Sequence, residues 1–185
     1  MNRVRDDHSA SHSGGTARFT PDQRAMVYDC LAVAERCLEE FYRFSPREWF
    51  HYSYTLMTAG DLPDGFPPRP ANVFGEIQKH SERPPAGGGA APDAGYTIVL
   101  FDGNILLHLS GHPEVSFRHL LLYILAHELV HIARFHHARP FDTPEIEKED
   151  EERTVHAITG RVLARLGDDQ LVRLADNYLS EEYSL

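Results

Sequence analysis

The chain has 185 residues, 42% hydrophobic and 25% charged, which suits one ordinary globular domain long enough to bury a sizeable core. Its 28 acidic residues outnumber 18 basic ones, and the net charge of −10 argues against nucleic acid or an anionic membrane surface as the main partner. The N-terminal residues form no apolar stretch of the kind a secretory signal needs, so a cytoplasmic setting is expected.

Residues 1–18 are polar and rich in Ser and Gly, and are expected to be a disordered tail before a single domain over 19–185. Thr20-Pro21-Asp22 reads as a helix start, with an N-cap followed by proline at the first helical position. Met26, Val27, Leu31, Ala34, Leu38, Phe41 and Tyr42 then recur at helical spacing to about Phe44. Cys30 and Cys37 stand seven apart on that helix, roughly 10.5 Å along its axis, so two reduced thiols are expected rather than a disulfide.

Phe50 to Met57 is aromatic-rich, and its periodicity fits a strand or a helix equally. The stretch from Trp49 to Tyr54 is read by default as core packing, with a partner surface as the alternative. Asp61 to Pro70 reads as a loop, residues 72–80 as a short helix, and the prolines and glycine triplet of 84–95 as a flexible insertion. Tyr96 to Phe101 is a strand, Asp102-Gly103-Asn104 a turn, and Ile105 to Leu109 a second strand or extended segment. A helix follows over about 114–135. Its near-apolar run, Leu120 to Ala133, is too short to span a bilayer. Beyond Pro140 and Pro144 a second long helix is predicted over 145–166, with an apolar stripe at Val155, Ile158, Thr159, Val162 and Leu166 and Gly167 as its stop. Asp168 to Leu179 reads as a final short helix. There is no internal repeat.

The chemistry lies in His127-Glu128-Leu129-Val130-His131. Two histidines four apart on a helix project from one face, so both imidazoles can reach one ion. The glutamate between them can reach a metal-bound water instead. Two neutral nitrogen ligands, an open position for water and a carboxylate to take its proton are what a zinc hydrolase needs. Twelve histidines raise the chance of a coincidental match, but context counters it. Glu128 is the one charged residue between 120 and 133, and a lone carboxylate on a buried helix is costly without a metal or a partner.

A catalytic zinc needs a third protein ligand. His137, six residues past His131, has the metzincin offset. That scheme requires glycine where this chain has Arg134, and a later methionine where the only ones are Met1, Met26 and Met57. The second helix offers Glu149, Asp150, Glu151 and Glu152. Set against its apolar stripe, Glu151 and Glu152 both fall within about 60° of the stripe's centre, and periodicity does not choose between them.

With an HExxH helix, a preceding β segment and a following glutamate helix, the chain resembles the gluzincin branch of the zincin metallopeptidases, most nearly the small single-domain minigluzincins. The resemblance covers about residues 96–166. It implies an α+β, zincin-like fold: a small β-sheet packed on the HExxH helix and the glutamate-bearing helix, here with an extra N-terminal helix. In several gluzincins the ligand glutamate is followed four residues later by an aspartate that hydrogen-bonds a zinc-binding histidine. That register implies Glu152 as the third zinc ligand, with Glu151 as second choice, and it puts His156 in the aspartate's place. The resemblance further implies zinc as cofactor, a peptide or protein as substrate and Glu128 as general base. An exposed strand edge at Tyr96 to Phe101 is expected to hold the substrate extended. Arg134, Tyr123, Tyr178 and His156 are the candidate transition-state donors. The competing expectation is a non-catalytic or latent zincin-fold protein, in which protein ligands fill the zinc coordination or the cleft is covered.

Overall fold

Thr20 starts the first helix with a capping box: its hydroxyl accepts the Gln23 backbone N–H, and the Gln23 side chain accepts the Thr20 N–H. Pro21 occupies the first turn, where it breaks no intrahelical bond. Helix α1 (Pro21–Tyr42) ends at Arg43, whose φ of 57° is left-handed. The computed structural model describes residues 17–45, 53–63, 66–80, 95–137 and 145–179. The predicted tail up to residue 16, the insertion up to residue 94 and the aromatic residues 49–52 lie outside them. The buried face of α1 is Val27, Cys30, Ala34, Cys37 and Leu38, so both cysteines are core side chains, and both are free.

Three five-residue strands form one sheet in the order β1-β3-β2: β1 (Tyr54–Thr58), β2 (Gly75–Lys79) and β3 (Tyr96–Leu100). β1 runs parallel to β3, with Tyr54 opposite Tyr96. β2 runs antiparallel to it, with Gly75 opposite Leu100 and Lys79 opposite Tyr96. All five β3 residues are buried, as their aromatic and β-branched character suits a strand enclosed on both sides. β3 is therefore not the exposed edge expected at Tyr96 to Phe101, because both of its ladders are taken. The short helix predicted over 72–80 is instead β2. Glu76, Gln78 and Lys79 favour helices, but pairing with β3 outweighs that local preference.

A second correction falls at residues 102–111, read as a turn and an extended segment. They form helix α2 (Asp102–Gly111). Asp102 accepts the Phe19 N–H through its carboxylate, and Asn104 donates to the carbonyls of Pro70 and Val73. Those tethers turn the chain away from the sheet, after which leucine-rich sequence propagates a helix readily.

Helix α3 (Phe117–His137) is held at its start by Ser116, whose hydroxyl accepts the His119 N–H. Every side chain from Leu120 to Ala133 is buried, as expected of a helix apolar on all sides. α3 packs against α1, β2, α4 (Glu145–Leu163) and α5 (Asp169–Leu179). The buried stripe of α4 is Glu151, Val155, Thr159, Val162 and Leu163. Leu166, placed on that stripe from sequence, is 40% exposed, because the chain tightens into a 3₁₀ turn at Ala164–Leu166 before Gly167, φ 66°. Asp168 then accepts the N–H groups of Gln170 and Leu171 at the start of α5 and contacts His119 at 3.0 Å, tying the starts of α3 and α5 together. The described residues thus make an α+β protein of five α-helices and a three-stranded sheet. Among them, no helix is long and apolar enough to cross a membrane.

Candidate metal centre

The four-residue period of α3 lines up Tyr123, His127, His131 and Phe135 on one face, with successive rings 6.2, 4.7 and 5.8 Å apart. His127 and His131 are buried, and their Nε2 atoms lie 3.1 Å from each other. From α4, Glu152 brings one carboxylate oxygen to 3.3 Å from His127 Nε2 and the other to 3.3 Å from His131 Nε2. About half of the Glu152 side chain is exposed, so the three donors meet at the floor of an open cleft. Glu151, one residue earlier, turns inward and forms a two-pronged ion pair with Arg134 at 2.5 and 2.8 Å. The two carboxylates that sequence could not separate thus have different partners.

Glu128 sits one residue on from His127, about 100° around the helix, and faces β2 instead of α4. Its carboxylate reaches so close to Gly75 that a β-carbon there would lie 2.6 Å from Oε1. Gly75 is thus a close-approach glycine that makes room for the buried acid. The cleft, about 390 Å³, is walled by Phe74, Gly75, Glu76 and Ile77 on the β2 side, and the two histidines, Glu128 and Glu152 lie along it. The β2 contribution had no signal in the sequence beyond an isolated glycine, because the segment reads locally as helix.

Burial pushes the Glu128 pKa up to about 7, with the charges of Glu152 and Glu76 adding to the rise and His131 opposing it. Burial likewise drives His127 down to about 4, so it is a neutral imidazole. It acts to lower His131 as well, but the Glu152 carboxylate outweighs it and holds His131 above its ordinary value. Burial works to raise Glu152, and hydrogen bonds from the two imidazoles reverse this, keeping the carboxyl well below the usual range.

The donor set fits a divalent metal. Zinc bound tetrahedrally at ~2.05 Å requires donor atoms about 3.3 Å apart, close to the separations among His127, His131 and Glu152. The Nδ1 atoms of both histidines are buried, and among the described residues neither has the carboxylate or carbonyl partner that usually orients a ligand histidine. His156, one turn beyond Glu152, does not bond His127 Nδ1. Its Nδ1 is 2.5 Å from the Tyr123 hydroxyl, and its ring lies 4.5 Å from that of His127.

The candidate transition-state donors are mostly committed elsewhere. Arg134 is held by Glu151, Tyr123 by His156, and Tyr178 stacks on Tyr123 at 4.6 Å. None of the four lines the cleft among the described residues. The side chain of His137 lies outside the described residues. Compared with known protein families, curated proteins and solved structures, the chain matches none.

Proposed function

We infer that the chain is a zinc-dependent peptidase with a zincin-like fold and a gluzincin-type ligand set of His127, His131 and Glu152. The observation that carries this reading is the mutual spacing of those donor atoms, 3.1 to 3.3 Å, on a cleft that also holds a buried carboxylate. Zinc bound there would act as a Lewis acid and lower the pKa of its water.

Glu128 receives the proton from the attacking water and returns it to the departing amine. Its buried setting, with a pKa near 7 that a neighbouring dication partly offsets, suits a group that must do both near neutral pH. Among the described residues β2 is an edge strand, and it borders the cleft; an extended peptide added there gains backbone hydrogen bonds independent of its sequence. Phe74, Ile77, Ile124 and Phe135 form the apolar lining and favour an apolar side chain beside the cleaved bond.

The test is zinc content by elemental analysis together with hydrolysis of a casein or mixed-peptide substrate. His131→Ala and Glu152→Ala are expected to lose near-stoichiometric zinc, whereas Glu151→Ala keeps it. Glu128→Gln is expected to retain zinc and lose hydrolysis by 100-fold or more. Zinc retained by Glu152→Ala but lost in Glu151→Ala would sink the ligand assignment. Zinc bound stoichiometrically by a wild type that hydrolyses nothing would leave a non-catalytic zincin-like protein.

A further inference from the structure

Resting on the reading of this cluster as a metal centre, we propose that His156 is a fourth protein ligand, so that the metal is held by three imidazoles and one carboxylate. α4 presents Glu152 and His156 four residues apart, hence on one face a turn apart, opposite the His127–His131 pair that α3 presents in the same way. Each helix therefore carries a pair of donors, with Glu152 against both α3 imidazoles at 3.3 Å and the His156 ring 4.5 Å from that of His127. Single ligand atoms from His127, Glu152 and His156 all lie within 4.8 Å of one another.

The orientation of His156 points the same way. Tyr123 is fully buried and stacked on Tyr178 at an interplanar angle of 16°, so its hydroxyl is a fixed anchor. That hydroxyl binds His156 Nδ1 and leaves Nε2 as the nitrogen available to a cation. A ligand histidine characteristically has its other nitrogen fixed by such a partner, which orients the ring. His127 and His131 lack that support at Nδ1 among the described residues, whereas His156 has it. A purely supporting role behind His127 fits less well, because His127 Nδ1 has no hydrogen-bond partner among the described residues.

His156 does not line the cleft among the described residues, so its nitrogen would reach a bound metal from the side of Tyr123. Water or substrate would then be a fifth donor on the side of Glu128, the expanded coordination that a catalytic zinc can adopt. Three imidazoles and a carboxylate suit zinc, and equally cobalt, nickel or iron.

X-ray absorption at the metal edge of the zinc-loaded full chain counts the coordinated imidazoles. Three are expected in wild type and two in both His156→Ala and His156→Gln. Chelator competition should show zinc affinity falling 100-fold or more in those variants, and about tenfold in Tyr123→Phe, which keeps three imidazoles. Two imidazoles in stoichiometrically loaded wild type, or an affinity loss under tenfold in both His156 variants, would overturn the role of His156 and leave the three-ligand reading intact. A wild type that binds no zinc would overturn both.

Discussion

Glu151 and Glu152 are adjacent and identical, and both fall near the apolar stripe that the sequence predicts for their helix, yet they do different things. The difference comes from the residues opposite them: Arg134 meets Glu151, and the two imidazoles meet Glu152. Removing Glu151 strands a half-buried guanidinium, so Glu151→Ala is expected to lower stability by about 2 kcal/mol in urea unfolding while zinc stays bound. Glu128 has a pH signature. In the metal-free fold its pKa rises from the ordinary 4.5 to about 7, so the folded state binds a proton that the unfolded chain has already released. Stability from this group is complete below pH 4.5 and is lost as the pH rises toward 7. With chelator present, the urea midpoint of wild type should fall between pH 5 and 7 relative to Glu128→Gln, whose side chain cannot ionise. Parallel midpoints across that window would refute the buried, proton-holding Glu128.

At the scale of elements, helices bounded by strong local chemistry and the central strand β3 were legible, and the strand pairing and β2 were not. The capping box at Thr20 and Gly167 in a left-handed turn mark ends set by a few neighbouring residues. β2 is the opposite case, a polar segment of helix formers made into a strand by its pairing with β3. β2 matters to the site because Gly75 borders Glu128. Gly75→Ala puts a carbon 2.6 Å from the present position of Oε1, which the carboxylate must vacate. A shift near 1 Å in a reacting group lowers rates on the order of 100-fold, so Gly75→Ala should lose most of its hydrolysis with full zinc content. Wild-type turnover in that variant would show that Glu128 has room to spare.

Across the whole molecule, the site spans two helices that α1 and α5 hold in place. Leu38 on α1 is fully buried in the core cluster that includes Leu121, Leu125 and Leu129 of α3. Leu38→Ala is expected to cost about 2–5 kcal/mol by denaturant unfolding, although the residue never approaches the cleft. Because His127 and His131 come from α3 and Glu152 from α4, a cation that bridges them binds only the folded chain. Zinc at about 100 times its dissociation constant should add about 2.7 kcal/mol and raise the melting temperature, and Glu152→Ala should lose most of that shift. An equal zinc-induced shift in Glu152→Ala would argue that the metal binds elsewhere.

The sequence by itself determined the helices other than α2, the buried Val27, Ala34 and Leu38 of α1 and the His127–Glu128–His131 pattern. Each depends on a period or a cap contained within a few residues, and helical geometry alone puts two histidines four apart on one face. Only the tertiary structure decided which glutamate faces those histidines, that β3 lies between two strands while β2 borders the cleft, and that His156 turns toward Tyr123. These are long-range facts. Glu152 lies 21 residues from His131 and Gly75 lies 53 from Glu128, and a local pattern carries no information about which face of one element another will cover.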